Sequence, residues 1–445
     1  TLDTTAPSGG ILSGLNLYYN GNATVTISAS GASFMKVWTN GTAAGATSDT
    51  EVPASWEVYD TSKTVSFSNQ GTQYVHAIFM DEVGNISAVV DSTAITYDTV
   101  APTISAVSIN DGDGYTNNAT ATVRVTFTDA TSGVNTITLS GDIAANEATD
   151  YTLTAADRSA GYKDFTVTLQ GADGTKTVTA VATDFAGNAS TSASDTIVLD
   201  TTAAVITGIL RDTENTTNLA SYVNDTAYGV KIATTATDIV NYKIWEGDTE
   251  PSSWTNISNA TDLDDGYFIG SLTLSSGDGL KTIHVKVQDI GGNVTEATAL
   301  TTTLDTTAPA VTLSPDVTVI STVSGYNTVT FTCDATDTNS SAGLNYELKL
   351  GTSVIKSGTF ASTVTVTQSE IEAISSGEGT KSFTLEVTDA AGNTGISTAQ
   401  VITLDKTAPT GSITANTYYT TGTVTVTIAG TDTGGAGMDQ MKVYL

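Results

Sequence analysis

Asp389-Ala390-Ala391-Gly392-Asn393 and, after a short interval, Leu404-Asp405-Lys406-Thr407-Ala408-Pro409 together read as strand, hairpin, strand and linker. Upstream of Asp389, Phe383, Leu385 and Val387 alternate with polar residues, the period of a strand with one face in a core. Asp389 ends that strand, and Gly392-Asn393 permits the positive φ of a tight hairpin. The 16 residues from Asp389 to Asp405 hold the turn, one last strand and the linker. Pro409 has no N–H to give a ladder and so marks a boundary.

Both markers recur in fixed phase. The linker is Leu2–Pro7, then Tyr97–Pro102, Leu199–Ala204, Leu304–Pro309 and Leu404–Pro409, its Asp at 3, 98, 200, 305 and 405. The hairpin is Asp81–Asn85, Asp184–Asn188, Asp289–Asn293 and Asp389–Asn393, with a Gly ten residues before each Asp, at 71, 174, 279 and 379. Spacings of 95, 102, 105 and 100 residues match one immunoglobulin-type sandwich. The expected architecture is all-β: tandem Ig-like antiparallel β-sandwiches in an extended array. The expected repeats are 1–97, 98–199, 200–304, 305–404 and an incomplete 405–445, which lacks its late strand and hairpin. Half a sandwich exposes edges and core, so the expectation is that the chain continues or another subunit completes it.

The repeats divide into two kinds. The first and third carry Lys36-Val37-Trp38 with Glu51-x-Pro53-x-x-Trp56, and Lys243-Ile244-Trp245 with Glu250-Pro251-x-x-Trp254. The second, fourth and fifth carry Gly-containing Asp loops, Asp129–Gly133, Asp337–Gly343 and Asp432–Gly437.

The net charge of −31 over 445 residues disfavours nucleic acid, because little here could neutralise phosphates, and it attracts cations. No apolar run approaches the roughly 20 residues of a membrane span. The first residues, Thr1-Leu2-Asp3, contain neither an initiator Met nor a signal peptide, so the chain reads as processed or as a fragment. Cys333, the single cysteine, falls in the alternation Val329-Phe331-Cys333 and reads as a small core residue.

The Asp-Thr-Thr-Ala-Pro linker with Asp389–Thr394 resembles the bacterial Ig-like repeats of large surface adhesins and biofilm-associated proteins. The Lys-Val-Trp subtype is similar to Ig-like domains found on phage virions. That resemblance implies a non-enzymatic structural or adhesive stalk outside the cell. Its implied partners are other copies or domains of the same surface assembly and host-cell or surface glycans. The alternative is a phage fibre or decoration protein, or an S-layer-like coat subunit. A third reading is a carbohydrate-binding accessory of a secreted glycosidase. The resemblance also implies calcium at the junctions, with Asp81, Asp98, Asp184, Asp200, Asp289, Asp305, Asp389 and Asp405 as ligands. Without a metal, Asp and Asn in turns cap backbone N–H groups instead. Ala204 stands where the other linkers have Pro, so that junction is expected to be less rigid or differently angled.

No catalytic set recurs among the motifs. His76 and His284 each lie five residues before a hairpin Asp, on the outward face of the late strand, and are expected to be exposed. The Trp pairs could stack on sugars, but packing is the favoured reading.

Overall fold

In the computed structural model the described residues are 2–211, 221–257, 267–339, 343–415, 424–433, 437 and 440–444. They form two compact units, one of Thr1–Ala203 with Asp289–Asn293, the other of Ala204–Gln288 with Val294–Leu445. Among the described residues no helix is long and apolar enough to cross a membrane.

Each unit contains two β-sandwiches. In the first sandwich, Ser8–Ser13, Ala23–Ser30 and Ser62–Val65 form one sheet; the other runs in the order Tyr18–Tyr19, Ile95–Tyr97, Gly71–Met80, Phe34–Asn40, Glu57–Val58. The second repeats this with Thr103–Ile109, Thr120–Thr128 and Tyr162–Thr168. Facing them are Tyr115–Thr116, Ala193–Leu199, Gly174–Asp184, Val134–Gly141 and Asp150–Thr152. The other unit holds Ile206–Arg211, Ala227–Thr234 and Tyr267–Thr273 in its first small sheet, and Ala310–Pro315, Thr328–Thr336 and Thr363–Thr367 in its second. Such paired antiparallel sheets, with strands exchanged between them, are the Ig-type arrangement. Thr410–Ala415 and Val426–Thr431 form a further two-stranded hairpin. Residues 434–436 of the loop Asp432–Gly437 and 340–342 of the loop Asp337–Gly343 lie outside the described residues.

The late strand is the centre of every core. Ile283, Val285 and Val287 are fully buried, and Phe383 and Val387 likewise. Each such side chain contributes about 1.5–3 kcal/mol by leaving water. The strand begins at a Gly whose φ is +98° at 71, +128° at 174, +133° at 279 and +107° at 379, a backbone state that disfavours any Cβ. Two residues later, in the second to fourth repeats, stands a buried Lys; Lys281 donates to the Ser275 carbonyl at 2.9 Å and Lys381 to the Ser375 carbonyl at 3.0 Å. Cys333 is buried in the fourth core, and burial pushes its thiol pKa up.

Two short helices, Ala155–Ala160 and Gln368–Ile374, lie within the otherwise all-β fold. Each opens on a capping box, Thr154 with Asp157 and Thr367 with Glu370, whose reciprocal hydrogen bonds satisfy the first free amides.

Phe331 and Phe383 pack across the fourth core with ring centroids 4.9 Å apart, both fully buried. Phe331→Ala is expected to cost about 3–5 kcal/mol. Calorimetry of the full chain should show one transition falling in temperature while the others stay in place.

A candidate metal centre at the linker aspartates

Each sandwich hands the chain to the next through a short parallel pairing. Tyr18–Tyr19 runs beside Thr96–Tyr97, Tyr115–Thr116 beside Val198–Leu199, and Tyr222–Val223 beside Thr303–Leu304. This ladder carries on into the linker Asp, whose N–H donates to Tyr19 O (Asp98, 2.8 Å), Thr116 O (Asp200, 2.9 Å) or Val223 O (Asp305, 2.8 Å). The backbone of the linker Asp is therefore the last rung of the repeat it leaves.

Its carbonyl belongs to the repeat it enters. Asn188 Nδ2 donates to Asp98 O at 2.8 Å, Asn293 Nδ2 to Asp200 O at 2.9 Å, and Asn393 Nδ2 to Asp305 O at 2.8 Å. The same amides donate to the hairpin Asp: Asn188 Nδ2 to Asp184 Oδ2 at 2.8 Å and Asn393 Nδ2 to Asp389 Oδ2 at 2.9 Å. The hairpin that aims these Asn side chains needs Gly at its tip, with φ of +92° at Gly187 and +97° at Gly392.

Carboxylates converge there. Ligand oxygens of Asp98, Asp129 and Asp184 lie within 4.8 Å of one another, and so do those of Asp305, Asp337 and Asp389. Asp98, Asp184, Asp305 and Asp389 are buried. Among the described residues no Lys, Arg or His forms an ion pair with Asp98, Asp129 or Asp184. Their partners are amides: Ser132 N donates to Asp98 Oδ2 at 2.9 Å, Gly133 N to Asp129 Oδ1 at 2.6 Å and Asn188 N to Asp184 Oδ1 at 2.8 Å. The hydroxyl of Ser132, buried beside Asp98, has no hydrogen-bond partner among the described residues.

The linker Asp thus gathers with the hairpin Asp of the repeat that it opens, not of the repeat that it closes. The late strand runs antiparallel to the strand that feeds the linker, Gly174 facing Leu199, so its Asp end lies at the opposite pole. Asp200 and Asp289 are joined in the same way through Asn293, which donates to both. Asp81 meets only the preceding linker, with Asn85 Nδ2 3.2 Å from Asp3 O, and the loop Gly31-Ala32-Ser33 offers no carboxylate there. Asp405 is buried, with Thr407 N donating to its Oδ1 at 3.0 Å. Asp129 and Asp337 were legible only as the first residues of Gly-containing loops; nothing in the spacing put them beside the linker.

The first hairpin has a consequence for acid stability. Burial raises the Asp81 pKa, but hydrogen bonds from the Asn85 side chain and from the amides of Asn85, Val83 and Gly84 outweigh it, leaving the pKa below 3.8. A depressed folded pKa contributes stability above the unfolded value, lost as pH falls through the folded one. Asp81→Asn is expected to lower thermal stability at pH 7 and to flatten its further loss below about pH 4; equal acid slopes in both proteins would contradict this.

The histidines differ from their expected exposure. His76 is on the outward face but fully buried under the segment 41–56. Its Nδ1 is 2.7 Å from Asp91 Oδ1 and its Nε2 is 2.8 Å from Asn40 Oδ1, with Trp38 packed alongside at 5.4 Å. His284 is partly covered and stacks on Trp245 at 5.1 Å. The shared motif of the first and third repeats is a cover over this face: Lys36 Nζ sits 5.2 Å from the Trp56 ring and Lys243 Nζ 4.8 Å from the Trp254 ring. Trp38 and Trp245 are buried, as packing residues are.

No family model matches the chain, and no curated protein matches it. Among solved structures it is similar to a tetra-tandem repeat in the extending region of a large adhesion protein, at 19% identity over 88% of this chain and 98% of that one, TM-score 0.33. It is also similar to fibronectin(III)-like modules of Clostridium thermocellum CbhA, at 14% identity over 44% and 93%, TM-score 0.30. A third is a structure on host cell surface retention of a 1.5-MDa bacterial ice-binding adhesin, at 18% identity over 68% and 98%, TM-score 0.30.

Proposed function

We propose that this chain is a non-enzymatic stalk segment of an extracellular adhesive protein, whose junctions are stiffened by calcium. One observation carries the reading: the linker Asp has its N–H in one repeat and its carboxylate in an acidic cluster of the next. An ion held there would bind the chain where two repeats meet, and so would oppose bending as well as unfolding.

The donors suit a hard cation. All are oxygens, and calcium takes six to eight of them from carboxylates, carbonyls and hydroxyls. Three carboxylates brought together repel one another, and neutral amide donors, the backbone N–H groups and the Asn188 side chain, oppose that repulsion at Asp98, Asp129 and Asp184. Asp98, Asp129 and Asp184 would hold one ion, with the partnerless Ser132 hydroxyl at hand, and Asp305, Asp337 and Asp389 another. The calcium would supply charge neutralisation and a fixed distance between the three chain segments. Sites of this makeup, loop-borne and only partly enclosed, suit the millimolar calcium found outside cells.

Thermal unfolding and small-angle scattering of the full chain, with calcium and then with chelator, test this. Calcium at about 100 times its Kd should add about 2.7 kcal/mol to the repeats that bind it. Asp129→Asn combined with Asp337→Asn should abolish most of that gain, and chelation should shorten the maximum dimension of the wild-type chain. Stability and dimension that ignore calcium would overturn the ion-stiffened stalk, leaving neighbouring subunits of a virion or coat to set the geometry.

A further inference from the structure

A second recurrent contact lies on the linker itself and involves no metal ligand. The register of each sandwich places the fixed Gly opposite the last core residue before the linker: Gly71 opposite Tyr97, Gly174 opposite Leu199, Gly279 opposite Leu304 and Gly379 opposite Leu404. Antiparallel pairing then sets the residue before that Gly alongside the linker. Those residues are Gln70, Asp173, Asp278 and Glu378, all of them side chains with oxygen acceptors.

Every one of them grips the residues that follow the linker Asp. Gln70 Oε1 accepts from Thr99 N at 3.2 Å, and its Nε2 donates to Thr99 Oγ1 at 2.7 Å. Asp173 accepts from both linker hydroxyls, Thr201 at 2.8 Å and Thr202 at 2.6 Å. Asp278 accepts from Thr306 N at 2.9 Å, Thr306 Oγ1 at 2.8 Å and Thr307 Oγ1 at 2.6 Å. Glu378 accepts from Lys406 N at 3.1 Å and Thr407 Oγ1 at 3.0 Å. Asp278 reaches further, accepting from Asn339 Nδ2 at 3.3 Å in the loop that begins with Asp337.

We propose that the side chain before the fixed Gly is a linker lock, by which each repeat holds the threonines that follow it and so positions the linker Asp for the acidic cluster of the next repeat. The lock explains why Thr follows the linker Asp, directly or one residue on, in every copy. A hydroxyl bonded to a carboxylate removes a side-chain rotamer, and the Thr306 amide bond fixes the adjoining backbone. These bonds also hold the pKa of Asp173 and Asp278 below the usual carboxylate value, so both stay charged near neutrality. Asp173, Asp278 and Glu378 are thus positioning residues; they touch the linker and not the clustered carboxylates. The lock needs no cation, and only its effect on the acidic cluster rests on the calcium reading above.

The test uses the full chain with Cys333→Ala and spin labels on Ser253→Cys and Ser353→Cys, two exposed positions in the third and fourth repeats. In chelator, Asp278→Ala should broaden the label-to-label distance distribution about twofold. Asp278→Glu should restore the narrow distribution, because Glu378 does the same work at the next linker. An unchanged width in Asp278→Ala, or equal broadening in both variants, would overturn the lock. With calcium added, Asp278→Ala should raise the concentration needed for half the thermal shift by about tenfold, as loss of an orienting partner does. A wild-type chain that shows no calcium shift would refute the calcium reading, while the distance measurement still decides the lock.

Discussion

The junctions depend on one residue whose atoms are divided between two folding units. The amide of Asp98 or Asp305 closes the last rung of one sandwich, while its carbonyl and carboxylate are engaged by the next. A linker usually lies between domains and belongs to neither. Here no free residue remains between the rung and the acceptor, so the linker has little slack in which to bend.

That constraint explains the recurrent features around it. The positive-φ Gly at the hairpin tip sets the turn that lets one Asn side chain span the hairpin Asp and the linker carbonyl. The short parallel strand carries the ladder far enough to pair the linker amide. The Gly that opens the late strand puts an acceptor beside the linker threonines. Departures are local: the first repeat has no loop carboxylate beside Asp81, and there Gln70 replaces the acidic side chain that holds the linker.

The histidines and tryptophans are taken up in packing. The two histidines are absorbed into covers over the outward sheet face, His76 between Asp91 and Asn40 and His284 against Trp245. The tryptophans that could have formed a sugar platform are packed against sheet or stacked by lysine. What recurs at the same place in successive repeats is an oxygen-lined pole.

Much of this was determined by the sequence alone. The all-β class, the inward face of the late strand and the hairpin turn are local consequences of alternation and of Gly at positive φ. The candidate aspartates were legible as a set for the same reason, since each sits at a fixed place in a repeated motif. Their grouping was not legible, because it depends on which pole each strand end reaches. Asp184 lies 16 residues before Asp200 in sequence, yet it meets Asp98, 86 residues away, since antiparallel pairing sends its strand to the opposite end. Asp129 and Asp337, the burial of His76 under a distant segment and the grip of Asp278 on Thr306 are likewise contacts between parts far apart along the chain. Only the tertiary structure could decide them, because sequence periodicity reports which face a residue occupies and carries no information about what lies across from it.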